Sequence, residues 1–96
     1  MKLLKVVKLV NDVKKYEAIF LLDNGKEKKV KFGASGYTDY LISKDKERRE
    51  RYRKRHQKDL KTNNPLRAGY LSYFLLWGNS TSLKQNIKDY KKKFKL

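Results

Sequence analysis

The segment PLRAGYLSYFLLW, residues Pro65–Trp77, has apolar side chains on nearly every side of a helix and decides where the core lies. One face of that helix carries Leu66, Tyr70, Tyr73, Phe74 and Trp77. Much of the remaining surface is covered by Leu71, Leu75 and Leu76. A helix that is apolar all round is buried at the centre of its domain. We therefore predict a central helix whose aromatic rings are core residues, with Asn64 as its cap and Pro65 as its first residue.

The chain upstream of this helix has the pattern of three β-strands. Two runs rich in Val, Leu and aromatic residues occur at Leu3–Val10 and Tyr16–Leu22, and a third run lies at Lys29–Phe32. Asn24-Gly25 is typical of a type I′ hairpin turn, and Asn11-Asp12 marks the other turn. We predict a three-stranded antiparallel meander over residues 1–33. Alternation in the last strand directs its Val and Phe to the core and its lysines to solvent.

A connector and two more helices complete the predicted fold. Gly33–Tyr40 contains two glycines and small residues, which is typical of a loop. We expect a first helix at about Lys44–Lys61 with Ser43 as N-cap, and a third helix from a Ser or Thr cap at positions 80–82 to about Phe94. The apolar stripe of the third helix is Leu83, Ile87, Tyr90 and Phe94. The predicted fold class is α+β, a β-meander followed by three α-helices in one domain, 1–96, whose helical part is 44–96.

Positive charge is the outstanding feature of the composition. Lys and Arg total 26 against 10 Asp and Glu, which gives a net charge of +16. The net charge is +5 over residues 1–33, +5 over residues 34–61 and +6 over residues 62–96. Because every third of the chain is basic, the folded surface itself is positive, and no single basic tail accounts for the charge. A compact chain of this charge repels itself and favours an anionic partner, most commonly nucleic acid.

The first helix concentrates this charge on one side. On a helical wheel an outward row falls within about 80°, and it consists of Arg48, Arg51, Arg55 and Lys58. The neighbouring side carries Tyr52, His56 and Leu60, which we expect to dock on the domain. Three local ion pairs are expected to support the helix, namely Asp45–Arg49, Glu47–Arg51 and Glu50–Lys54. Arg binds phosphate through paired hydrogen bonds, so the outward row predicts a nucleic-acid-binding surface.

A second basic row lies on the third helix. Its members are Lys84, Lys88, Lys91 and Lys95, one residue along from the apolar stripe. The alternative interpretation is a merely solvated lysine face, which is common. Asp89 is the only acid in this helix, whereas a surface built only for solubility mixes both signs. We therefore predict a second nucleic-acid-binding row.

The sequence offers little for catalysis, metals or membranes. There is no Cys, His56 is the only histidine, and no motif of a hydrolase or nucleotide-binding enzyme occurs. We expect no enzymatic activity, no cofactor and no metal site. The longest nearly apolar run, Ala68–Trp77, is about half the length of a bilayer span, so no transmembrane segment is expected. Tyr37 and Tyr40 in the connector are the better candidates for stacking on bases.

Two long stretches resemble a known group of viral proteins. They are FGASGYTDYLISKDKERRERYRKRH (residues 32–56) and NPLRAGYLSYFLLWGNSTSLKQNIKDYKKKF (residues 64–94). Both are similar to a family of small basic proteins of unknown mechanism from nucleocytoplasmic large DNA viruses, the giant viruses and their relatives. The resemblance implies a viral protein located in the virion core and in the infected host cell. It supplies no catalytic site.

Charge and resemblance together lead to one expected function and two alternatives. The expected function is binding of duplex DNA through its phosphates without reading sequence, to neutralise and condense or organise a viral genome. The first alternative is a minor capsid or core component whose basic faces bind acidic viral proteins or an anionic membrane. The second is an RNA-binding or ribosome-associated module. DNA retention that falls steeply with salt favours the expected function, whereas tight binding to one protein partner at high salt favours the capsid or core component.

Overall fold

The computed structural model describes residues 1–96 and contains one three-stranded antiparallel sheet at the N-terminus. Its strands are β1 (Lys2–Lys8), β2 (Lys14–Leu21) and β3 (Glu27–Ala34), in the order β1-β2-β3. The predicted meander is therefore confirmed. Phe32 is fully buried and Val30 packs against the core, while Lys29 and Lys31 are exposed, as the alternation predicts.

The rest of the chain is helical. In order it forms α1 (Tyr40–Ser43), α2 (Lys46–His56), a 3-10 segment (Gln57–Thr62), α3 (Ala68–Leu71), a π-helical segment (Ser72–Leu76) and α4 (Leu83–Phe94). This confirms the α+β class and a single small domain. None of these helices has the length and apolar character needed to cross a membrane.

The core lies between one face of the sheet and the central helical segment. The sheet contributes Leu3, Ala18, Phe20 and Phe32 to it. The central segment contributes Tyr70, Leu71, Leu75, Leu76 and Trp77, and α4 adds Tyr90. The side chain of Phe74 is partly buried and packs on the same cluster. The prediction that the aromatic rings of residues 65–77 are core residues is thus confirmed.

The β2–β3 turn differs from the predicted type I′ turn. Only Gly25 has a positive φ (82°), whereas a type I′ turn requires positive φ at both central residues. The Gly25 amide donates to the Leu22 carbonyl, and the Leu22 amide donates to the Lys26 carbonyl. This is a three-residue loop in which a glycine in the left-handed region closes the hairpin. The Asn24 side chain accepts from the Lys26 amide at 3.0 Å and stabilises this alternative.

A short helix that the sequence did not predict, α1, precedes the predicted first helix, whose cap is Asp45 and not Ser43. Asp39 caps the short α1 by accepting from the Ile42 amide, and Lys44 then takes a left-handed conformation (φ 54°) that ends it. Asp45 accepts from the amides of residues 47 and 48 and starts α2. After His56 the chain tightens into the 3-10 segment, so the α-helix is shorter than predicted.

The predicted second helix starts three residues later than expected, at Ala68, and its last part is a π-helical segment. The Asn64 side chain accepts from the Leu66 amide, which makes residues 64–67 a turn, so the helix starts at Ala68 and not at Pro65. Asn64 does not cap the helix; Arg67 precedes it with an extended backbone. The π-helical segment ends where the Trp77 amide donates to the Ser72 carbonyl at 3.1 Å.

The predicted third helix corresponds to α4, and its cap and apolar stripe are confirmed. Ser82 is the cap and accepts from the Gln85 amide. The helix buries Tyr90, while Leu83, Ile87 and Phe94 pack on the core. It also buries Asn86, which the sequence pattern did not single out. The Asn86 amide nitrogen donates to the carbonyls of Leu75 and Ser80, which fixes the 77–82 loop against α4.

We expect Gly78→Ala to destabilise the fold. An added Cβ at Gly78 lies 2.2 Å from the Phe74 carbonyl oxygen and 2.9 Å from Asn86 Cγ, so the backbone must shift. Overpacking of this kind costs about 1–3 kcal/mol. The measurement is the free energy of unfolding in urea. The control is Gly69→Ala, which meets nothing within 4 Å in α3 and should gain about 0.4–1 kcal/mol. Equal stability of the two variants would contradict the packing described here.

Candidate nucleic-acid interface

Two arginines hold α2 on the body of the protein. The Arg49 Nε donates to the Gly78 carbonyl oxygen at 2.5 Å, and its guanidinium also bonds the Asn79 side chain. The Arg53 guanidinium donates to the Trp77 carbonyl oxygen at 2.8 Å and lies over the Tyr73 ring, 4.2 Å from the ring centroid. Burial lowers the pKa of the Arg53 guanidinium from its ordinary value. These two charges are therefore part of the structure and are not free to bind an outside ligand.

An aromatic stack completes this contact. The Tyr52 ring lies on the Trp77 ring with centroids 4.3 Å apart and an interplanar angle of 9°. Its other side faces the His56 imidazole at 4.2 Å. The pKa of the Tyr52 hydroxyl is raised, mainly because the side chain is buried. The predicted docking by Tyr52, His56 and Leu60 is consistent with this arrangement, since Tyr52 and Leu60 pack against the core.

None of the three predicted ion pairs on α2 forms. Asp45 is used as the N-cap, and Glu50 pairs with its neighbour Arg49. Arg51 and Lys54, the other predicted partners, have no carboxylate within salt-bridge distance. The reason is that Arg49 turns inward to carbonyl oxygens, which leaves the helix N-terminus as the better partner for Asp45. As a result, the basic side chains on the outer side of α2 keep their charge available.

The predicted outward row of α2 is fully exposed. All four of its members are exposed and none takes part in an ion pair, namely Arg48, Arg51, Arg55 and Lys58. Lys58 lies in the 3-10 segment, about one turn beyond Arg55, and so stays on the same side of the helix. α2 buries none of its residues completely, as expected of a helix that is polar all round.

Only three of the four lysines predicted to form a row on α4 lie together. Lys84, Lys88 and Lys91 line one shallow depression of about 430 Å³ together with Ser82 and Gln85. Lys84 and Lys88 are exposed, and Lys91 is half-buried. Lys95 lies beyond the last residue of α4 with a left-handed φ of 55°, so helical spacing does not fix its direction. Three of the four lysines therefore line one depression, and the fourth follows the helix end.

The two basic helices border a common groove. It has a volume of about 320 Å³ and is lined by Arg53 of α2, by Asn79 and by Asp89 and Lys93 of α4, among others. The 77–82 loop thus joins the two helices, because α2 donates hydrogen bonds to its first residues and Asn86 of α4 holds its middle. Both rows therefore belong to one rigid body.

The open face of the sheet is a basic surface that helical-wheel reasoning did not single out. Strand register places Lys5 of β1 and Lys29 of β3 on either side of Ile19 in β2. Ile19 is nonetheless only 7% exposed. The aliphatic stems of lysines cover apolar surface in this way while their ammonium groups stay in water. Strand alternation suggests exposed lysines, but only the pairing register shows that these two flank one residue.

The two tyrosines considered for base stacking have different environments. Tyr37 is 74% exposed and remains available. Tyr40 is 5% exposed and belongs to the core, so it is not available, and its prediction as a stacking residue is wrong. Tyr40 is the first residue of α1 and packs in the core cluster. No cluster of three or more His, Cys, Asp or Glu residues that could hold a metal ion is present.

Comparison with known proteins places the chain in one family. A family model described as a family of unknown function, DUF5754, matches residues 4–56, more than half of the chain, and the chain belongs to this family. The match covers almost the whole sheet, α1 and α2, and it ends before α3. No curated protein and no solved structure matches the chain.

We expect Arg53→Ala to destabilise the fold and Arg51→Ala to leave it unchanged. Both substitutions remove one positive charge from α2, but only Arg53 donates to a backbone carbonyl. The loss of a hydrogen bond from a charged donor costs about 1.5–3 kcal/mol, whereas an exposed substitution stays within about 0.5 kcal/mol. Urea unfolding at one fixed salt concentration measures both. If the two variants unfold at the same urea concentration, α2 is not held by Arg53.

Proposed function

We propose that this protein binds duplex DNA through its phosphates, without sequence preference, and condenses or organises a genome. The observation that supports the proposal is that the arginines of α2 fall into two groups, one structural and one exposed. Arg49 and Arg53 are used to fix the helix, and Arg48, Arg51 and Arg55 are left exposed and unpaired on it. A helix held in place presents these charges at a regular spacing without further ordering of its backbone, which favours binding to a regular array of phosphates.

The chemistry of the exposed row favours phosphate over base edges. Guanidinium groups bind phosphate oxygens through two parallel hydrogen bonds. Contacts to phosphate position a protein on DNA but carry no sequence information directly. Reading adenine in the major groove calls for Asn or Gln, and within α2 neither residue type occurs. α2 therefore suits the sugar-phosphate backbone.

The depression on α4 supports condensation in addition to binding. Three lysines line it, and it lies on a different helix from the arginine row. A rigid body with two basic surfaces can contact two DNA segments at once, which coating of a single duplex does not require. The net charge of +16 provides many further weak phosphate contacts.

The biological setting rests on the resemblance to small basic proteins of large DNA viruses. In that setting the DNA would be a viral genome, and the protein would reside in the virion core and in the infected cell. A genome confined in a particle needs its phosphates neutralised, and an abundant folded polycation meets that need. We propose no enzymatic activity and no cofactor for this role. Binding to acidic viral core or capsid proteins is the alternative that the experiments below separate.

We expect DNA affinity to fall steeply with salt and to be indifferent to sequence. Each neutralised phosphate contributes about −0.9 to the slope of log K against log salt. The measurement is an electrophoretic shift series with duplexes of unrelated sequence, single strands and RNA at several salt concentrations. Affinity that does not change with salt, or strong preference for one sequence, would contradict the proposal.

We expect the two rows to contribute separately to binding and condensation. One variant replaces Arg48, Arg51, Arg55 and Lys58 by Ala, and a second replaces Lys84, Lys88, Lys91 and Lys95. Each lost phosphate contact should lower the salt slope by about one unit. DNA aggregation should fall more than binding, because the remaining surface still holds one duplex. Circular dichroism checks the fold, which should stay intact because seven of the eight positions are exposed and the eighth, Lys91, is half-buried.

A charge-matched control separates location from net charge. It replaces four exposed lysines of the sheet and its turn by Thr, at positions 2, 8, 14 and 26, which lie outside both rows and outside the pair that flanks Ile19, and so also removes four charges. It should bind DNA better than either row variant. Folded row variants that bind and condense DNA like the parent would refute the proposal and favour binding of an acidic protein.

A further inference from the structure

Four large apolar side chains are exposed at one end of the molecule. Val10 and Val13 are 80% and 81% exposed, and they lie in the loop between β1 and β2. Tyr37 and Ile42 are 74% and 65% exposed, and they lie in or next to the connector after β3. These four residues are the most exposed of the large apolar side chains in the chain.

The fold brings the two segments together. The Ser35 amide of the connector donates to the Val13 carbonyl at 3.0 Å. Between loop and connector lies a mostly apolar hollow of about 520 Å³. Its apolar lining comes from Leu9, Tyr16, Tyr37, Leu41 and Ile42. Tyr37 and Ile42 line this hollow, and the loop with the two valines borders it through Leu9 and the Ser35–Val13 hydrogen bond. We call the four exposed residues Val10, Val13, Tyr37 and Ile42 the apolar tip.

The loop that carries the two valines is held in place by hydrogen bonds. The Leu9 amide donates to the Lys15 carbonyl at 2.8 Å and closes the hairpin. Asp12 accepts from the Lys14 amide and pairs with Lys31, both at 2.8 Å. Asn11 takes a left-handed φ of 54°. The valines are thus presented to solvent by a turn that hydrogen bonds hold in place.

Unpaired lysines surround the apolar tip. Lys8 and Lys14 flank the loop, are exposed and take part in no ion pair. The nearby acids Asp12 and Asp39 are already paired, with Lys31 and Lys15 respectively. The tip therefore combines protruding aliphatic groups with a positively charged rim.

We propose that the apolar tip binds an anionic lipid surface, with the two valines inserted among the lipids and the lysine rim at the headgroup phosphates. Apolar side chains that enter the headgroup boundary together with flanking Lys or Arg are how proteins bind to a bilayer without spanning it. A tyrosine such as Tyr37, with an apolar ring and a polar hydroxyl, is favoured at that boundary.

Other occupants fit the apolar tip less well. A second copy of the chain would bring a second net charge of +16 to the same contact. The grooves of DNA have no apolar surface on which two protruding valines could be buried. A protein partner could fill the hollow. It would need a further pocket to bury the two valines, which are 80% and 81% exposed on the loop. A fluid lipid surface receives protruding side chains without a complementary pocket.

The test compares the parent chain with Val10→Thr/Val13→Thr, which keeps shape and charge but removes the apolar groups. Both proteins are sedimented with vesicles of phosphatidylcholine alone and of phosphatidylcholine with phosphatidylserine, at low and at high salt. The parent should bind the anionic vesicles and keep part of that binding at high salt. The variant should lose affinity by roughly tenfold per valine, most clearly at high salt where charge is screened.

Two controls make the outcome decisive. Leu4→Thr removes an exposed apolar side chain (45% exposed) near the other end of β1 and should bind vesicles like the parent. DNA affinity of the double valine variant should equal that of the parent, because the valines lie outside both basic rows. If the parent fails to bind anionic vesicles, or the folded valine variant binds them equally at high salt, the apolar tip does not bind lipid and a protein partner takes its place.

Discussion

The contact between α2 and the carbonyl oxygens of the 77–79 loop is the interaction on which the rest of the structure depends. A helix with seven Lys or Arg residues and no completely buried side chain has no apolar face to hold it. Arg49 and Arg53 supply the attachment instead, because the end of the π-helical segment leaves carbonyl groups that need donors. Tyr52 adds the stack on Trp77. Positive charge, which would otherwise only repel, is thereby used to bind a helix to the core.

This attachment also explains why the outer charges are free. Asp45 caps α2, Glu50 pairs with Arg49, and Glu47 forms no ion pair, so none of these carboxylates pairs with the outward row. Self-repulsion among the unpaired cations remains as a cost in the folded state, and a polyanion relieves it. The proposed DNA binding and the fold are thus linked through one helix. The apolar tip is separate from it, on the β1–β2 loop and the connector, so a membrane and DNA need not compete for one surface.

Much of the fold followed from local patterns, and the failures have specific causes. Alternation at Lys29–Phe32 and the stripe of α4 are periodic over enough residues to identify the buried side. The turn at Asn24-Gly25 was assigned the wrong type because one dipeptide is compatible with two loop lengths. The first helix was predicted too long because the chain after His56 tightens into a 3-10 segment, and its cap was misplaced because Asp45 accepts from the first amides in place of Ser43. Tyr40 was considered for base stacking because the connector was read as a loop, whereas it starts α1 and packs in the core.

The sequence by itself determined the order of elements, the central position of residues 65–77, the positive surface and the exposure of the row from Arg48 to Lys58. These features depend on periodicity and composition, which are local properties of the chain. Only the tertiary structure decided which arginines of α2 are structural, since carbonyl oxygens 24 to 29 residues away select Arg49 and Arg53. It also decided that the loop with Val10 and Val13 lies beside the connector, through a hydrogen bond from the Ser35 amide to the Val13 carbonyl. Contacts between residues far apart in the chain leave no periodic trace in it, and for that reason they become visible only in the folded molecule.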